Sequence, residues 1–588
     1  MSIADAERST LLDEAWHDGS ELYVVEAPDE LGGEATVRLR TRTGAADSVL
    51  LRYQRDGEPR STLAVVDEEK DGETWWRASF PVVSPATRYR WLLAGGDSGY
   101  AWVNGLGTHP HEVAGADDFV LTPGPGGPAW HLESVVYQIY PDRFARSGAV
   151  RTPPGWAVPR GWDEVPSKGR ESGRDWFGGD LPGIEQHLDH IERVGANAIY
   201  TTPFFPAGST HRYDATSFEH VDPLLGGDEA LASLAAACAA RGIRLIGDLT
   251  TNHVGQGHEW FLAAEADDHA PERGFFYFDP ALPHGYEAWL GVPSLPKLDW
   301  RDDELRARMH RVIRKYLDAG LSGWRIDVAN MTARFRALDL NHEAARFVRD
   351  AADGGLIIAE HMHDFRADLD GTGWHGVMNY SGFMRPTWWW LRDAGYDQDI
   401  FTQAPAPSYG GAEMLEVVRR FRAGVPWNGT LHSWVMLDSH DTPRFRTVAG
   451  SRERQLVGIG LQMTTPGVPK VFMGDELGLE GRWGEDARRP MPWGDFPDDL
   501  IDTYGRLAGL RRSSDALARG GVRYVHVSDD AVAYLRETKG ERLLCLAARA
   551  DHDPIVTPFA SLETLHGDDT VGGVLPSHGP AFHIWRIR

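Results

Sequence analysis

The stretch GWRIDVAN, residues 323 to 330, decides how this chain is read. It is apolar enough to form a buried strand, yet it carries a cation, Arg325, two residues before a carboxylate, Asp327. Side chains alternate faces along a strand, so Trp324, Ile326 and Val328 are expected on one side and Arg325 with Asp327 on the other. Two opposite charges on one buried face form either an ion pair that satisfies itself or part of a larger polar site. The rest of the chain decides between them.

Working outward, the stretch is one of eight apolar runs separated by amphipathic helical patterns, the rhythm of parallel βα units. The runs are 134–141, 196–203, 244–250, 323–329, 355–361, 376–380, 433–441 and 468–475. Helical patterns such as DEALASLAAACAARG and DELRARMHRVIRKYLDAG lie between them. Eight repeats predict an α/β fold, a (β/α)8 TIM barrel. A doubly wound open sheet is disfavoured because no glycine-rich phosphate loop follows the first strand. Two insertions interrupt the repeat, at 145–176 and at 254–296, and the second is long enough to form a lobe over the barrel mouth after strand three.

The flanks read differently. Residues from about 20 to 122 alternate as short strands, as in TVRLRTR and VLLRYQR, and end at the proline- and glycine-rich linker LTPGPGGPAWH, 121 to 131. From about 520 a second set of strands follows, VRYVHVS, AVAYLRET and RLLCLAAR. The expected organisation is an N-terminal β-sandwich over 1–124, a barrel over 131–253 and 297–518, the inserted lobe over 254–296, and a C-terminal antiparallel β-domain over 519–588.

Composition narrows the function. The 588 residues carry a formal net charge of -26, with acid and base mixed along the chain, which argues against a nucleic acid partner. No long uncharged apolar run predicts a membrane span. The two cysteines, Cys238 and Cys545, read as core residues, and a cytoplasmic location is the expectation. The 22 tryptophans serve the core first, but aromatic faces also stack on sugar rings.

In a (β/α)8 barrel, chemistry sits at the C-terminal ends of the strands, and the polar residues gather there. Strand three ends in DLTTNH with Asp248, Asn252 and His253; strand four carries Arg325 and Asp327; strand five ends at Glu360; strand seven ends in DSHD with His440 and Asp441. Any one could be a satisfied hydrogen-bonding group. Together on one rim, they place three carboxylates beside an arginine and two histidines. Like charges that close separate their pKa values, which glycoside hydrolysis requires: one carboxyl protonated to donate to the leaving oxygen, another ionised to attack.

These residues resemble the α-amylase superfamily. DLTTNH, GWRIDVAN, IIAEHMH and MLDSHD look like its four main motifs, LPKLD (295 to 299) like the motif closing the inserted lobe, and HRYDATSF (211 to 218) like a substrate-binding loop. The N-terminal domain, FGGDLPGI, VMNY and HDTPR point toward the neopullulanase, cyclomaltodextrinase and maltogenic amylase group. The resemblance implies Asp327 as nucleophile, Glu360 as general acid and then base, and Asp441 as the group that grips the sugar and supports the transition state. It implies substrate contacts from Tyr213, Asp214, His253, Arg325, His440, Arg444 and Arg488, and structural support from Asp248 and Asn252. In a retaining site the two reacting carboxyls stand about 5 to 5.5 Å apart.

The sequence also departs from that pattern. Met331 stands where a glutamate usually follows GWRIDVAN, and Met362 where tryptophan is common, which bears on the choice between α-1,4 and α-1,6 linkages. The loop after PDRFA reads RSGAVRT and leaves only Asp180 of a hard oxygen cage, so no calcium is expected there and no cofactor is called for; the resemblance leaves open a calcium at the second site found in some relatives, where Asn252 would be a ligand. Arg488 has either Glu485 or Asp486 as partner. The expected activity is hydrolysis of short or cyclic α-glucan oligosaccharides, with transglycosylation on the same substrates as the alternative and an inactive glycan-binding relative as the reading of another class. By analogy the protein is a homodimer through its N-terminal domain.

Overall fold

The computed structural model describes residues 14–124, 126–482, 484–494 and 498–588. The first thirteen residues of the N-terminal domain and position 125 of the linker lie outside it. Eight parallel strands close into a barrel: β1 (Val136–Ile139), β2 (Ala198–Thr201), β3 (Arg244–Thr250), β4 (Gly323–Asp327), β5 (Leu356–His361), β6 (Gly376–Asn379), β7 (Trp434–Met436) and β8 (Val468–Phe472). The order around the barrel is the order along the chain, with β8 beside β1.

Most of these strands are shorter than the apolar runs that predict them. β7 is three residues long where the run spans nine, because the chain turns after Met436 to present Asp438, His440 and Asp441. β4 stops at Asp327: Val328 adopts the left-handed conformation with φ 36°. The predicted alternation holds up to that point. Trp324 faces outward and its indole donates to the Ile313 carbonyl of the helix Asp303–Asp318. Arg325 turns into the barrel, where it is fully buried.

An antiparallel sandwich precedes the barrel. One sheet holds Val24–Glu26, Glu34–Arg42, Glu73–Pro81 and Val65–Lys70; the other is built around Ser48–Arg55 and Thr87–Gly95. Val37, Leu39, Val49, Leu51 and Trp91 fill the space between them. A five-stranded antiparallel sheet follows the barrel, ending in Ala581–Ile587. The two outer domains meet at a buried ion pair, Arg40 Nη2 to Glu537 Oε2 at 2.9 Å. The insertion after β3 carries the helix Glu259–Ala266 and is stitched back to the barrel by short bridges, His253 to Lys297 and Phe276 to Leu298. Both cysteines are buried and unpaired.

Candidate active site

The barrel interior is polar at its C-terminal end, against the usual preference for branched apolar side chains. Asp248 lies near the C-terminal end of β3 and Arg325 near that of β4, and both are completely buried. A buried guanidinium needs anions and acceptors on all its N–H groups. Arg325 Nη1 donates to Asp248 Oδ1 at 2.9 Å and to Asp327 Oδ1 at 2.8 Å, while Nη2 lies 2.6 Å from Glu360 Oε1. One cation thus serves three carboxylates. The backbone N–H of Val328 donates to Glu360 Oε2 at 2.8 Å, an arrangement that the left-handed turn at Val328 permits.

The excess of negative charge has a direct consequence. Burial raises the Asp327 carboxyl well above the carboxylate range, and the charge of Glu360 adds to it. Burial likewise lifts Glu360, to about 7, with Arg325 opposing and Asp441 reinforcing the shift. The two titrate as a pair that keeps a proton near neutrality. Asp441 behaves oppositely: burial would raise it, but His440 and Arg488 hold it below its ordinary value. Its oxygens lie 3.2 Å from His440 Nε2 and 2.9 Å from Arg488 Nη2.

Tyr213 and Asp248 link the rim. The Tyr213 hydroxyl lies 2.6 Å from His440 Nε2 and donates to Asp248 Oδ2 at 2.9 Å; the Tyr200 hydroxyl donates to the same oxygen at 2.5 Å. Asp248 is therefore saturated, consistent with a supporting role. His253 sits above Asp327, Nε2 to Oδ2 3.9 Å, and that Nε2 is buried without a protein partner. The half-buried Asp214 accepts from the Ser209 hydroxyl. Arg488 bonds Glu485 at 2.7 Å, whereas Asp486 pairs with Arg489, which resolves the partner left open by sequence.

Arg444 is placed away from these groups. It is buried behind the rim, its Nη1 3.0 Å from Asp475 Oδ1 and its Nε on the Ala487 carbonyl, while Nη2 is buried without a protein partner. Several residues of this network were not singled out from sequence: Tyr200, which donates to Asp248, Gln138, which meets His440 Nδ1, Lys297, which donates to Asn252, and Lys470, which donates to Gln138. For the two lysines a signal existed, since a lysine inside an apolar run such as VPKVF must find acceptors or a counter-charge.

The residues at the two calcium positions suggested by resemblance do not fit that ion. Asp180 accepts from Ser147 N, Ser147 Oγ and Gly183 N and pairs with the guanidinium of Arg151. At the other position, the Lys297 ammonium lies between Asn252 Oδ1 and the Met331 carbonyl, 2.8 Å from the latter. A fixed cation already stands on the oxygens that a metal would use.

Comparison with known proteins agrees with this geometry. Residues 138–499 match the family described as alpha amylase, catalytic domain. Neopullulanase 2 of Thermoactinomyces vulgaris is 28% identical over 559 residues, covering 89% of this chain and 88% of its own. A cyclomaltodextrinase of a Bacillus species is 30% identical, covering 71% and 73%. The cyclic alpha-maltosyl-(1→6)-maltose hydrolase of Arthrobacter globiformis, solved with its cyclic tetrasaccharide, superposes with a TM-score of 0.63 at 31% identity, covering 73% of this chain and 94% of that one. With its carboxylates gathered at the C-terminal rim of a closed barrel and the catalytic-domain match spanning most of that barrel, this chain is a glycoside hydrolase that belongs to the α-amylase family.

Proposed function

We propose that the enzyme cleaves α-1,4 linkages, and α-1,6 linkages as a secondary activity, in short or cyclic maltooligosaccharides by double displacement with retention. The observation that carries this reading is that Asp327 and Glu360 flank one guanidinium, which favours the close spacing of a retaining pair over the wider one that accommodates a water. With the one proton that the pair keeps held on Glu360, the ionised Asp327, oriented by Arg325, attacks the anomeric carbon, and Glu360 donates to the leaving oxygen. Glu360 then takes a proton from the water that releases the sugar. Asp441, held ionised by Arg488 and His440, bonds hydroxyls beside the reacting carbon and supports the positive charge that develops there.

The named activities of the neopullulanase, cyclomaltodextrinase and cyclic tetrasaccharide hydrolase relatives support short and cyclic substrates. Incubation with maltotriose, pullulan, a cyclodextrin and a cyclic α-1,4/α-1,6 tetrasaccharide, with identification of the first products and their anomeric configuration, tests the reading. Release of β-configured products would overturn it. Longer products accumulating at high oligosaccharide concentration would favour transglycosylation instead.

The proposal extends to a cytoplasmic homodimer. Unpaired edge strands of the N-terminal sheets, Glu58–Leu63 and Val65–Lys70, expose Leu63, Val65 and Val66, a surface suited to a second copy. Among the described residues no helix is long and apolar enough to cross a membrane. Sedimentation of the purified protein would decide the oligomer.

A further inference from the structure

Lys470 is a lysine with no exposed surface, in the middle of β8 inside the barrel. Its ammonium can only donate, and it donates to the Asp438 carbonyl at 2.7 Å and to the side chain of Gln138 on the neighbouring strand β1. That contact removes the ambiguity of an amide: the oxygen of Gln138 must face Lys470, so its NH2 must face the other way. There it meets His440 Nδ1 at 2.7 Å. An NH2 group donates, so Nδ1 must be the bare nitrogen, and the ring proton of neutral His440 resides on Nε2. Nε2 is the atom that faces Tyr213 at 2.6 Å and Asp441 at 3.2 Å. The Tyr213 hydroxyl accepts that proton's hydrogen bond and passes its own to Asp248. Every link from Lys470 to Asp248 thus has one allowed direction.

We propose that Lys470 and Gln138 are positioning residues that lock His440 in the neutral tautomer with its proton on Nε2, so that the ring turns a donor and not a lone pair toward Tyr213, Asp441 and the sugar subsite they line. The proposal rests on the reading of His440 as a sugar contact, and it adds the device that sets which nitrogen carries the hydrogen. A histidine with the proton on Nδ1 would turn a lone pair toward Asp441 and lose the donor that this subsite needs. The groups facing His440 are Asp441, Arg488, Arg325, Lys470, Tyr213 and Gln138; Asp441 favours a charged ring, while burial and the three cations oppose it, and the neutral form prevails.

The test begins with unmodified enzyme. Nitrogen-15 spectra of histidine-labelled protein, with His440 identified by the signals missing in His440→Gln, are expected to show a bare Nδ1 and a protonated Nε2 across roughly pH 5.5 to 8. Gln138→Glu is isosteric and keeps a partner for Lys470, but its carboxylate accepts where the amide donated. It should draw the single ring proton onto Nδ1, leave Nε2 a bare lone pair, and lower kcat by about 100-fold with little change in KM. Lys470→Met frees the amide to turn and should give mixed tautomers with a fall of about 10-fold.

A protonated Nδ1 in the unmodified enzyme would overturn the lock, whatever reaction the enzyme performs, because the spectrum is taken without substrate. A changed tautomer in Gln138→Glu with unchanged kcat would overturn the positioning role. Products of the wrong anomeric form would instead remove the mechanistic reading and leave the tautomer result standing.

Discussion

Two buried clusters of charge in this protein invite comparison. Where the outer domains meet, Arg40 and Arg523 face Glu537 and Glu73, with Arg40 2.9 Å from Glu537 and Arg523 2.8 Å from Glu73. Each of these two carboxylates has a guanidinium within 3 Å. At the barrel mouth one guanidinium, Arg325, faces Asp248, Asp327 and Glu360. Burial acts on both places, with opposite results. It would raise Glu537, but Arg40 and Arg523 pull that carboxyl below its ordinary value; Glu360, sharing one cation with two other acids, rises to about 7. Balance makes a clamp. Imbalance keeps a proton, and a kept proton is what an acid catalyst needs.

The strongest way to break the comparison is to remove the unbalanced acids. Asp327→Asn and Glu360→Gln should each lower kcat/KM by at least about 10³-fold with an unchanged circular dichroism spectrum. Hydrolysis near the normal rate in either would refute the assigned roles. Next come the cations. Arg40→Met strands Glu537 and should cost about 3–5 kcal/mol in denaturant unfolding, with hydrolysis unaffected at a temperature where the variant is folded, and the double change Arg40→Met with Glu537→Leu should recover most of that loss. Arg325→Met should lose stability by a similar amount and activity as well, with no apolar partner substitution restoring turnover.

pH separates the clusters by sign. The Glu360 carboxyl titrates higher folded than its ordinary 4.5, so its contribution to stability is complete below about 4.5 and is lost as pH rises through about 7. Glu537 titrates lower folded, so its contribution is present above its ordinary value and is lost on acidification. Melting curves of Glu360→Gln and Glu537→Gln against unmodified protein should therefore diverge at opposite ends of the scale. In the same range kcat/KM should fall about tenfold per pH unit above about 7 as Glu360 loses its proton. The smallest effect expected is at the rim: Glu485→Gln, which weakens the hold on Arg488, should lower kcat/KM about 10-fold, while Asp486→Asn should leave it within about twofold.

Much of this was legible because it is written in local pattern. The alternation in GWRIDVAN predicts which face Arg325 and Asp327 share, and the run 244–250 coincides with β3 because Leu245, Ile246 and Leu249 suit a parallel strand covered on both faces. Strand ends were less legible. The runs around β4 and β7 continue past the last ladder bond, and hydrophobicity does not reveal that Val328 turns left-handed or that the chain leaves the sheet before Asp438. Arg444 illustrates a second limit: HDTPR places it three residues from Asp441, but Asp475, far away in sequence, takes its guanidinium.

Sequence by itself determined the barrel, its insertions and the identity of the acids, because periodicity and strand-end position are properties of short segments. Tertiary structure alone decided what each charge does. Three carboxylates share Arg325 only once three strands lie side by side, and Lys470 reaches His440 through Gln138 only once β8 closes against β1. A pKa or a tautomer depends on burial and on which groups lie within a few ångströms, and those neighbours are set by ring closure.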